Sequence, residues 1–212
     1  MRVLIACEYS GIVRDAFLAA GHEAMSCDLL PTESPGPHYQ GDVHDVLGDG
    51  WDMMIAHPPC QYLSYAGLGH WHQPGRAELR AEALAFALSL YNSPIPFVAM
   101  ENPKGWIGQA FRPADQYINP FDFGDPIRKR TGLWLKGLPL LEATNRVPPP
   151  AAVSVQYRKA TGYVKLRHHV DSAANWKARS RFFPGIARAM AAQWGDPARL
   201  ARMTTQQTLQ FA

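Results

Sequence analysis

The chain has 212 residues, of which 47% are hydrophobic, and its formal net charge is only +3. These values predict one globular domain large enough to bury a sizeable core, and they permit contact with nucleic acid without requiring it. The apolar runs are far shorter than a membrane-spanning helix, the chain starts without a secretory signal, and its three cysteines are too scattered for a metal cluster or a disulfide framework. We therefore expect a cytoplasmic protein with no membrane contact and no bound metal.

The first forty residues predict a strand, a tight turn, a helix and a second strand. An apolar run over 2–7 is followed by a turn containing Gly11 and then by a helical segment over 13–20. A weaker strand over 22–27 stops at Asp28. An acidic residue at the end of the second strand of such a unit is placed to accept hydrogen bonds from a ribose.

A rigid turn carrying a thiol follows the next buried strand. The Pro, Gly and Ser content of 31–40 predicts a loop, and an apolar strand follows at 51–56. Pro58 and Pro59 fix the backbone and stop this strand. Cys60 should therefore lie at the carboxyl end of the strand, which is where open α/β sheets bind their ligands.

The middle of the chain predicts a loop and a packing helix. Residues 67–75 carry His70 and His72, but two histidines without further ligands at suitable spacing do not predict a metal site. We expect this loop to form a mobile lid over the thiol turn. Residues 76–92 have apolar side chains at helical spacing and predict a helix without a chemical role.

The next strand ends in a carboxylate. An apolar run over 96–100 leads directly to Glu101, which would lie beside Cys60 if the two strands are neighbours in the sheet. A lone glutamate at this point would more often serve a helix N-terminus. Together with the preceding Pro-Pro-Cys turn, a catalytic role is the better hypothesis.

Basic residues are frequent in the second half of the chain, where they predict one basic face. Arg128, Lys129 and Arg130 precede a strand over 132–135. In an extended segment the two arginines point to one side and the lysine to the other. The alternation alone does not decide which side meets a substrate.

The end of the chain predicts one closing helix. Residues 137–178 are rich in proline and basic side chains, and so short a stretch rarely builds a core of its own. The segment 179–194 follows, in which residues 182–185 lead a helix with Ile186, Met190 and Trp194 on one stripe. We predict one catalytic domain over 1–195 and a peripheral tail over 196–212.

Two motifs in this order resemble those of the DNA cytosine-5 methyltransferases. Pro-Pro-Cys-Gln at 58–61, followed by Ser64, resembles the nucleophile loop of that family, and Glu-Asn at 101–102 is similar to its Glu-Asn dipeptide. Gly-Asp-Val at 41–43 is similar to the turn whose aspartate addresses the adenine of the cofactor. Two short motifs in the right order are much more specific than either alone.

The resemblance implies an α/β fold, the Rossmann-like S-adenosylmethionine-dependent methyltransferase fold, with a mostly parallel sheet and helices on both faces. It implies S-adenosylmethionine as the cofactor and cytosine-containing DNA as the substrate. The residues that it assigns fall into three groups. The catalytic residues are Cys60, Glu101, Arg128 and Arg130; the cofactor-binding residues are Tyr9, Ser10, Gly11, Asp28, Asp42 and Pro58; and the substrate-binding residues are Gln61, Ser64, Asn102 and Lys129.

In this chemistry Cys60 adds as a thiolate to the ring carbon next to carbon 5 of cytosine, which turns carbon 5 into a nucleophile. Arg128 or Arg130 would lower the pKa of the Cys60 thiol. Glu101 would assist at N3 and select cytosine, with its pKa raised by burial.

Two motifs depart from the family pattern. The turn after the first strand has Val13 and Arg14 where further glycines are expected. The basic segment has Ile127 in place of a glutamine, and under direct alignment the family's two arginines fall on Lys129 and Thr131.

The interval 137–178 stands where the family has a large target-recognition domain. The chain therefore resembles a compact phage-like or prophage-like member, of the kind found in restriction and modification, in a bacterium or a phage-infected host cell. We expect low sequence specificity, a short target, or a partner or oligomer that supplies specificity. Two alternatives stay open: the same chemistry on a free cytosine nucleotide, and a catalytically degenerate relative that binds nucleic acid or protein.

Overall fold

A seven-stranded sheet forms the centre of the molecule. Its strands in chain order are β1 (Arg2–Ala6), β2 (Glu23–Asp28), β3 (His38–Gln40), β4 (Met53–Ala56), β5 (Phe97–Pro103), β6 (Gln116–Ile118) and β7 (Thr131–Lys136). The computed structural model describes residues 1–149, 151, 154–158, 163–167, 180–196, 198 and 200.

The order of the strands across the sheet is β3-β2-β1-β4-β5-β7-β6. The first five strands are parallel, and β7 runs antiparallel to both of its neighbours. The central strands β1 and β4 are almost uninterrupted apolar runs because both faces of a parallel sheet are covered. This is the Rossmann-like fold of S-adenosylmethionine-dependent methyltransferases, so the predicted fold class is confirmed.

Helices cover both faces of the sheet. Those described are α1 (Ile12–Ala19), α2 (Arg76–Tyr91), α3 (Ile107–Ala110) and α4 (Pro184–Trp194), with short 3-10 turns at Val43–Asp45, Tyr65–His70 and Pro120–Asp122. Phe17 of α1 and Trp194 of α4 belong to the buried cluster on one face, and Leu90 of α2 belongs to the cluster on the other. Within the described ranges, no helix combines the length and apolar character that crossing a membrane would require.

Three strands differ from their sequence prediction. β3 lies inside 31–40, where composition predicted only a loop, and β6 was not predicted. Both are three-residue strands at the two edges of the sheet, and so short a segment shows no apolar periodicity. β5 continues beyond the predicted end at Met100, because Glu101 and Asn102 pair with β7.

Asp125 and Gly185 fix the start of α4. The Gly185 N–H donates a hydrogen bond of 2.9 Å to the Asp125 carboxylate, which satisfies a donor at the helix N-terminus. A Cβ atom at Gly185 would lie only 2.0 Å from the carbonyl oxygen of Phe123, so only glycine allows this approach. The docked helix places Phe182 with its ring 4.6 Å from the ring of His57.

A separate antiparallel hairpin, β8 (Ser154–Arg158) with β9 (Tyr163–Arg167), lies in the interval 137–178. The remainder of that interval after 151 lies outside the described residues. So does the predicted tail, apart from residues 196, 198 and 200. The division into a catalytic domain, a reduced recognition region and a tail stays a prediction.

Candidate active site

Cys60 lies on an exposed turn after β4. β4 and β5 are parallel neighbours with Ala56 beside Met100, so the residues that follow Ala56 and Met100 meet at the same edge of the sheet. Glu101 is one of these residues. Cys27, in contrast, is completely buried, and burial raises the pKa of its thiol to about 12. The exposed thiol is therefore the one at the mouth of the sheet.

The turn that carries Cys60 is bonded to the segment that follows Glu101. The side-chain amide of Asn102, which is 1% exposed, donates to the carbonyl oxygen of Pro58 at 2.8 Å. The N–H of Trp106 donates to the carbonyl oxygen of Leu63 at 2.6 Å, and Gly105 pairs with the turn in an isolated β-bridge. The two motifs that carry the resemblance thus form one structural unit.

Glu101 is held by two side chains. The Nδ1 atom of His57 lies 3.3 Å from one carboxylate oxygen, and the hydroxyl of Thr131 donates to the other. The side chains of His57 and Glu101 are 11% and 14% exposed. Thr131 opposes Pro103 across the β5–β7 pair, which puts it diagonally beside Glu101 on the same face. The carboxylate is therefore fixed in orientation by neighbours on both sides.

The pKa of Glu101 is lower than the ordinary value, which differs from the expectation that burial raises it. Burial does act to raise this pKa, and it is the largest single effect. The hydrogen bond and charge of His57, the hydrogen bond from Thr131 and the charge of Lys129 together outweigh it. The carboxyl group is consequently ionised at neutral pH.

This lowered pKa predicts a contribution to acid stability. A carboxylate with a depressed pKa stabilises the fold above its ordinary pKa of 4.5, and the contribution is lost as the pH falls through the value in the folded protein. We expect the difference in unfolding free energy between the wild type and Glu101→Gln to change progressively below pH 4.5. Urea unfolding at a series of pH values measures it. A difference that does not vary with pH would contradict the prediction.

The two sides of the basic segment before β7 have different surroundings. Arg128 and Arg130 are exposed, and their guanidinium groups lie over the rings of Phe121 at 5.7 Å and Tyr117 at 4.6 Å. The residues that act on Glu101 are instead the neighbouring Lys129 and Thr131. These are the two positions that the direct alignment gives to the family's arginines. The charge of Lys129 therefore acts on Glu101, whereas Arg128 and Arg130 lie over aromatic rings.

The turn after β1 supplies hydrogen-bond acceptors for the backbone N–H groups at the N-terminus of α1. The buried carboxylate of Glu8 accepts hydrogen bonds from the Val13 N–H at 2.9 Å and from the Ser10 hydroxyl at 2.7 Å. Gly11 begins the helix with φ of +77°, a conformation that favours glycine. Tyr9, predicted with Ser10 and Gly11 for the cofactor, is 6% exposed in the same turn. The first helical donors therefore go to Glu8.

Arg14, which replaces a glycine of the family pattern, is completely buried. Its guanidinium donates to the carbonyl oxygen of Ser34 at 2.9 Å and to the hydroxyls of Ser26 and Thr32 at 3.2 Å each. A Cβ atom at Gly11 would lie 2.5 Å from this guanidinium. Arg14 thus ties the loop after β2 to the start of α1.

Asp28 is the last residue of β2, and Asp42 follows β3 at the same edge of the sheet. Asp28 accepts a hydrogen bond of 2.9 Å from the Leu30 N–H, and burial raises the pKa of its carboxyl group. Asp42 caps the following 3-10 turn, where hydrogen bonds from His44 lower the pKa of its carboxyl group. All six residues predicted for the cofactor therefore lie at the carboxyl ends of β1 to β4.

These residues fit S-adenosylmethionine at its nucleoside end. Asp28 stands at the end of β2, where a carboxylate can accept hydrogen bonds from ribose hydroxyls. The turn is less open than a glycine-rich one, because Glu8 occupies the donors of α1 and Arg14 packs against Gly11. A bound cofactor would meet the backbone of Ser10 and Gly11 rather than unoccupied helix donors.

Three solved structures that this chain resembles are methyltransferases. For the Schizosaccharomyces pombe Dnmt2 methyltransferase the identity is 17%, over 64% of this chain and 49% of that one, with a TM-score of 0.42. For the Entamoeba histolytica methyltransferase EhMeth the identity is 12%, over 69% of this chain and 57% of that one, with a TM-score of 0.47. For a variant of Spodoptera frugiperda DNMT2 the identity is 16%, over 64% of this chain and 49% of that one, with a TM-score of 0.38. The chain spans about half the length of these proteins. No family model and no curated protein matches it.

The predicted substrate residues occupy different positions around the thiol. Gln61 is exposed next to Cys60, whereas Ser64 is buried and its hydroxyl accepts a hydrogen bond of 3.1 Å from the Ala66 N–H. The side-chain N–H of Asn102 donates to the carbonyl oxygen of Pro58. The side-chain oxygen of Asn102 is buried without a hydrogen-bond partner among the described residues.

The predicted lid packs against the same region through Trp71. The Trp71 ring lies 5.7 Å from the ring of Trp106, and the guanidinium of Arg80 lies 4.6 Å and 4.8 Å from these two rings. Its mobility stays a prediction.

Sequence reasoning missed the roles of His57 and Glu8. His57 stands directly before the two prolines, in a place where the strand has just ended, and a titratable residue there was a detectable signal. Glu8 lies in the turn whose next three residues, Tyr9, Ser10 and Gly11, were predicted to bind the cofactor. Nothing in its local pattern showed that its side chain turns back to α1.

Proposed function

We propose that this protein transfers a methyl group from S-adenosylmethionine to carbon 5 of cytosine in DNA. The observation that carries the proposal is the hydrogen bond from Asn102 to Pro58, with the β-bridge of Gly105, because these contacts hold the thiol turn against the strand that bears Glu101. An exposed thiol and an oriented carboxylate are the two groups that this reaction needs.

Cys60 is the proposed nucleophile. Carbon 5 of cytosine is too electron-poor to take a methyl group directly, whereas addition of a thiolate to carbon 6 moves ring electron density onto carbon 5 and N3. S-adenosylmethionine, when bound, supplies the methyl group as an electrophile. Loss of the proton from carbon 5 then allows Cys60 to leave.

Glu101 is the proposed partner of the ring edge that carries N3 and the exocyclic amine. Its carboxylate can accept the amine N–H, which distinguishes cytosine from thymine. A proton delivered to N3 stabilises the charge that develops on addition of the thiolate. Asp28 would hold the ribose of the cofactor at the end of β2.

DNA is the proposed substrate class because basic and aromatic side chains lie on the segment before β7 and on the turn that carries the thiol. Arg128 and Arg130 are exposed on the segment before β7, where they can contact phosphates. The guanidinium of Arg76 lies 5.2 Å from the ring of Tyr62, two residues after Cys60. A cytosine in a duplex would have to be flipped out of the stack to reach the thiol. We propose low sequence specificity, or a partner that supplies it.

Transfer of a labelled methyl group to double-stranded DNA, single-stranded DNA and dCMP, offered separately, tests this function. We expect label in DNA at cytosine carbon 5. Label in dCMP alone would replace DNA by a nucleotide as the substrate. Absence of label from all three, with a folded protein that does not bind the cofactor, would contradict the proposal and favour a binding module.

A further inference from the structure

His57 is the titratable group in direct contact with Glu101 that the proposed chemistry has not yet used. Its Nδ1 atom faces the Glu101 carboxylate at 3.3 Å. Its other ring nitrogen, Nε2, is buried and has no hydrogen-bond partner among the described residues. The ring packs against Phe182 at 4.6 Å. The only described route for a proton on this ring therefore runs through Nδ1 to Glu101.

We propose that His57 is a positioning residue that holds, at Nδ1, the proton that Glu101 delivers to N3 of the substrate ring. This inference rests on the proposed function. An ionised carboxylate accepts hydrogen bonds but has no proton to give, and the hydroxyl of Thr131 is too weak an acid to supply one. An imidazole changes its protonation near neutral pH. The pair therefore combines an oriented carboxylate with a local source of a proton.

The proton follows the electrons of the addition step. As the sulfur of Cys60 bonds to carbon 6, the π electron pair of the 5,6 double bond moves between carbons 4 and 5. The π pair of the carbon 4–N3 double bond moves to N3, and the single bond between these atoms remains. N3 takes a proton from Glu101, and His57 replaces it, which leaves His57 neutral. After methylation N3 returns the proton to the pair, carbon 5 loses its own proton, and the thiolate leaves as the 5,6 double bond forms again.

This arrangement predicts that the proton shared by His57 and Glu101 sets the alkaline limb of the pH profile of methyl transfer. The active form holds one proton between His57 and Glu101, so activity falls as the pH rises and that proton is lost. Among the described residues, the charged groups that act on Glu101 are His57 and Lys129. Lys129 is unchanged in a His57 variant. A shift in the pH at which activity falls on the alkaline side therefore reports on His57.

The test compares the wild type with His57→Asn, which keeps an N–H donor near the position of Nδ1 but cannot carry the proton. We expect kcat/KM for methyl transfer at neutral pH to fall about 10²-fold, as loss of a proton donor typically causes. The alkaline limb should move to lower pH, because a carboxyl group loses its proton at a lower pH than an imidazole does. An unchanged limb would overturn the inference.

Two further measurements separate the failure of this inference from the failure of the proposed function. Release of tritium from carbon 5 of labelled cytosine reports on thiol addition, and a wild type that shows neither release nor methyl transfer would overturn the function itself. The second measurement is the NMR titration of His57 without substrate, in the wild type and in Glu101→Gln. The two titrations should differ. A His57 titration that is the same in both proteins would overturn the inference, even if His57→Asn does not fold.

Discussion

Cys60→Ser should lower the rate of methyl transfer by about 10⁴-fold or more, the scale seen when an enzyme loses its covalent nucleophile. A serine hydroxyl is almost wholly protonated at neutral pH and is a weak nucleophile without a base to activate it. The side chain is exposed, so the substitution should leave the unfolding free energy nearly unchanged. The label assay with DNA, together with urea unfolding, measures both quantities.

Covalent trapping sharpens this test. DNA containing 5-fluorocytosine cannot lose a proton from carbon 5, so the wild type with cofactor should form a complex that survives denaturation, and Cys60→Ser should not. Cys27→Ala is the matched control, because it removes a buried thiol away from the turn and keeps a small apolar side chain. Substantial methyl transfer by Cys60→Ser would show that the reaction proceeds without this thiol.

Gly105→Ala should separate the thiol turn from the strand of Glu101. A Cβ atom at this position would lie 1.9 Å from the carbonyl oxygen of Leu63 and 2.9 Å from the Cα atom of Ser64, so one backbone must move. The movement strains the hydrogen bonds from Trp106 to Leu63 and from Tyr65 to Lys104. At about 1 kcal/mol for each bond, with an added cost for displaced packing, we expect a loss of about 3 kcal/mol in unfolding free energy.

The effect of Gly105→Ala on activity should be larger than its effect on stability suggests. A displacement of about 1 Å in a catalytic group can cost about 10²-fold in rate. Gly108→Ala is the matched control, since no atom lies within 4 Å of the Cβ position there. In α3 that change should stabilise the protein by about 0.5–1 kcal/mol. Equal stability and activity of the two variants would contradict the role assigned to Gly105.

The location of the thiol could be predicted from the sequence because its signals are local. The apolar run of β4 and the two prolines after it place Cys60 at the end of a strand. The end of β5 was predicted too early, at Met100. Pairing of Glu101 and Asn102 with β7 is a contact between segments far apart in the chain, which local patterns do not contain.

The surroundings of Glu101 were less predictable than Glu101 itself. The alternation in the basic segment left open which side faces the site, and the structure joins Lys129 and Thr131 to Glu101. Burial alone predicted a raised pKa for Glu101. His57, together with Thr131 and Lys129, lowers this pKa by more than burial raises it. Both outcomes depend on the register between neighbouring strands.

Through the resemblance of its motifs to a known family, the sequence implied the mostly parallel α/β architecture. By itself it determined that Cys60 and Glu101 each follow an apolar strand. Short runs of residues specify these features through apolar periodicity and backbone restriction. Only the tertiary structure decided that Asn102 holds Pro58 and that His57 and Thr131 hold Glu101. It also decided that Glu8 occupies the donors of α1. These contacts depend on side-chain directions at the carboxyl edge of the folded sheet, where several segments converge and each side chain has more than one available partner.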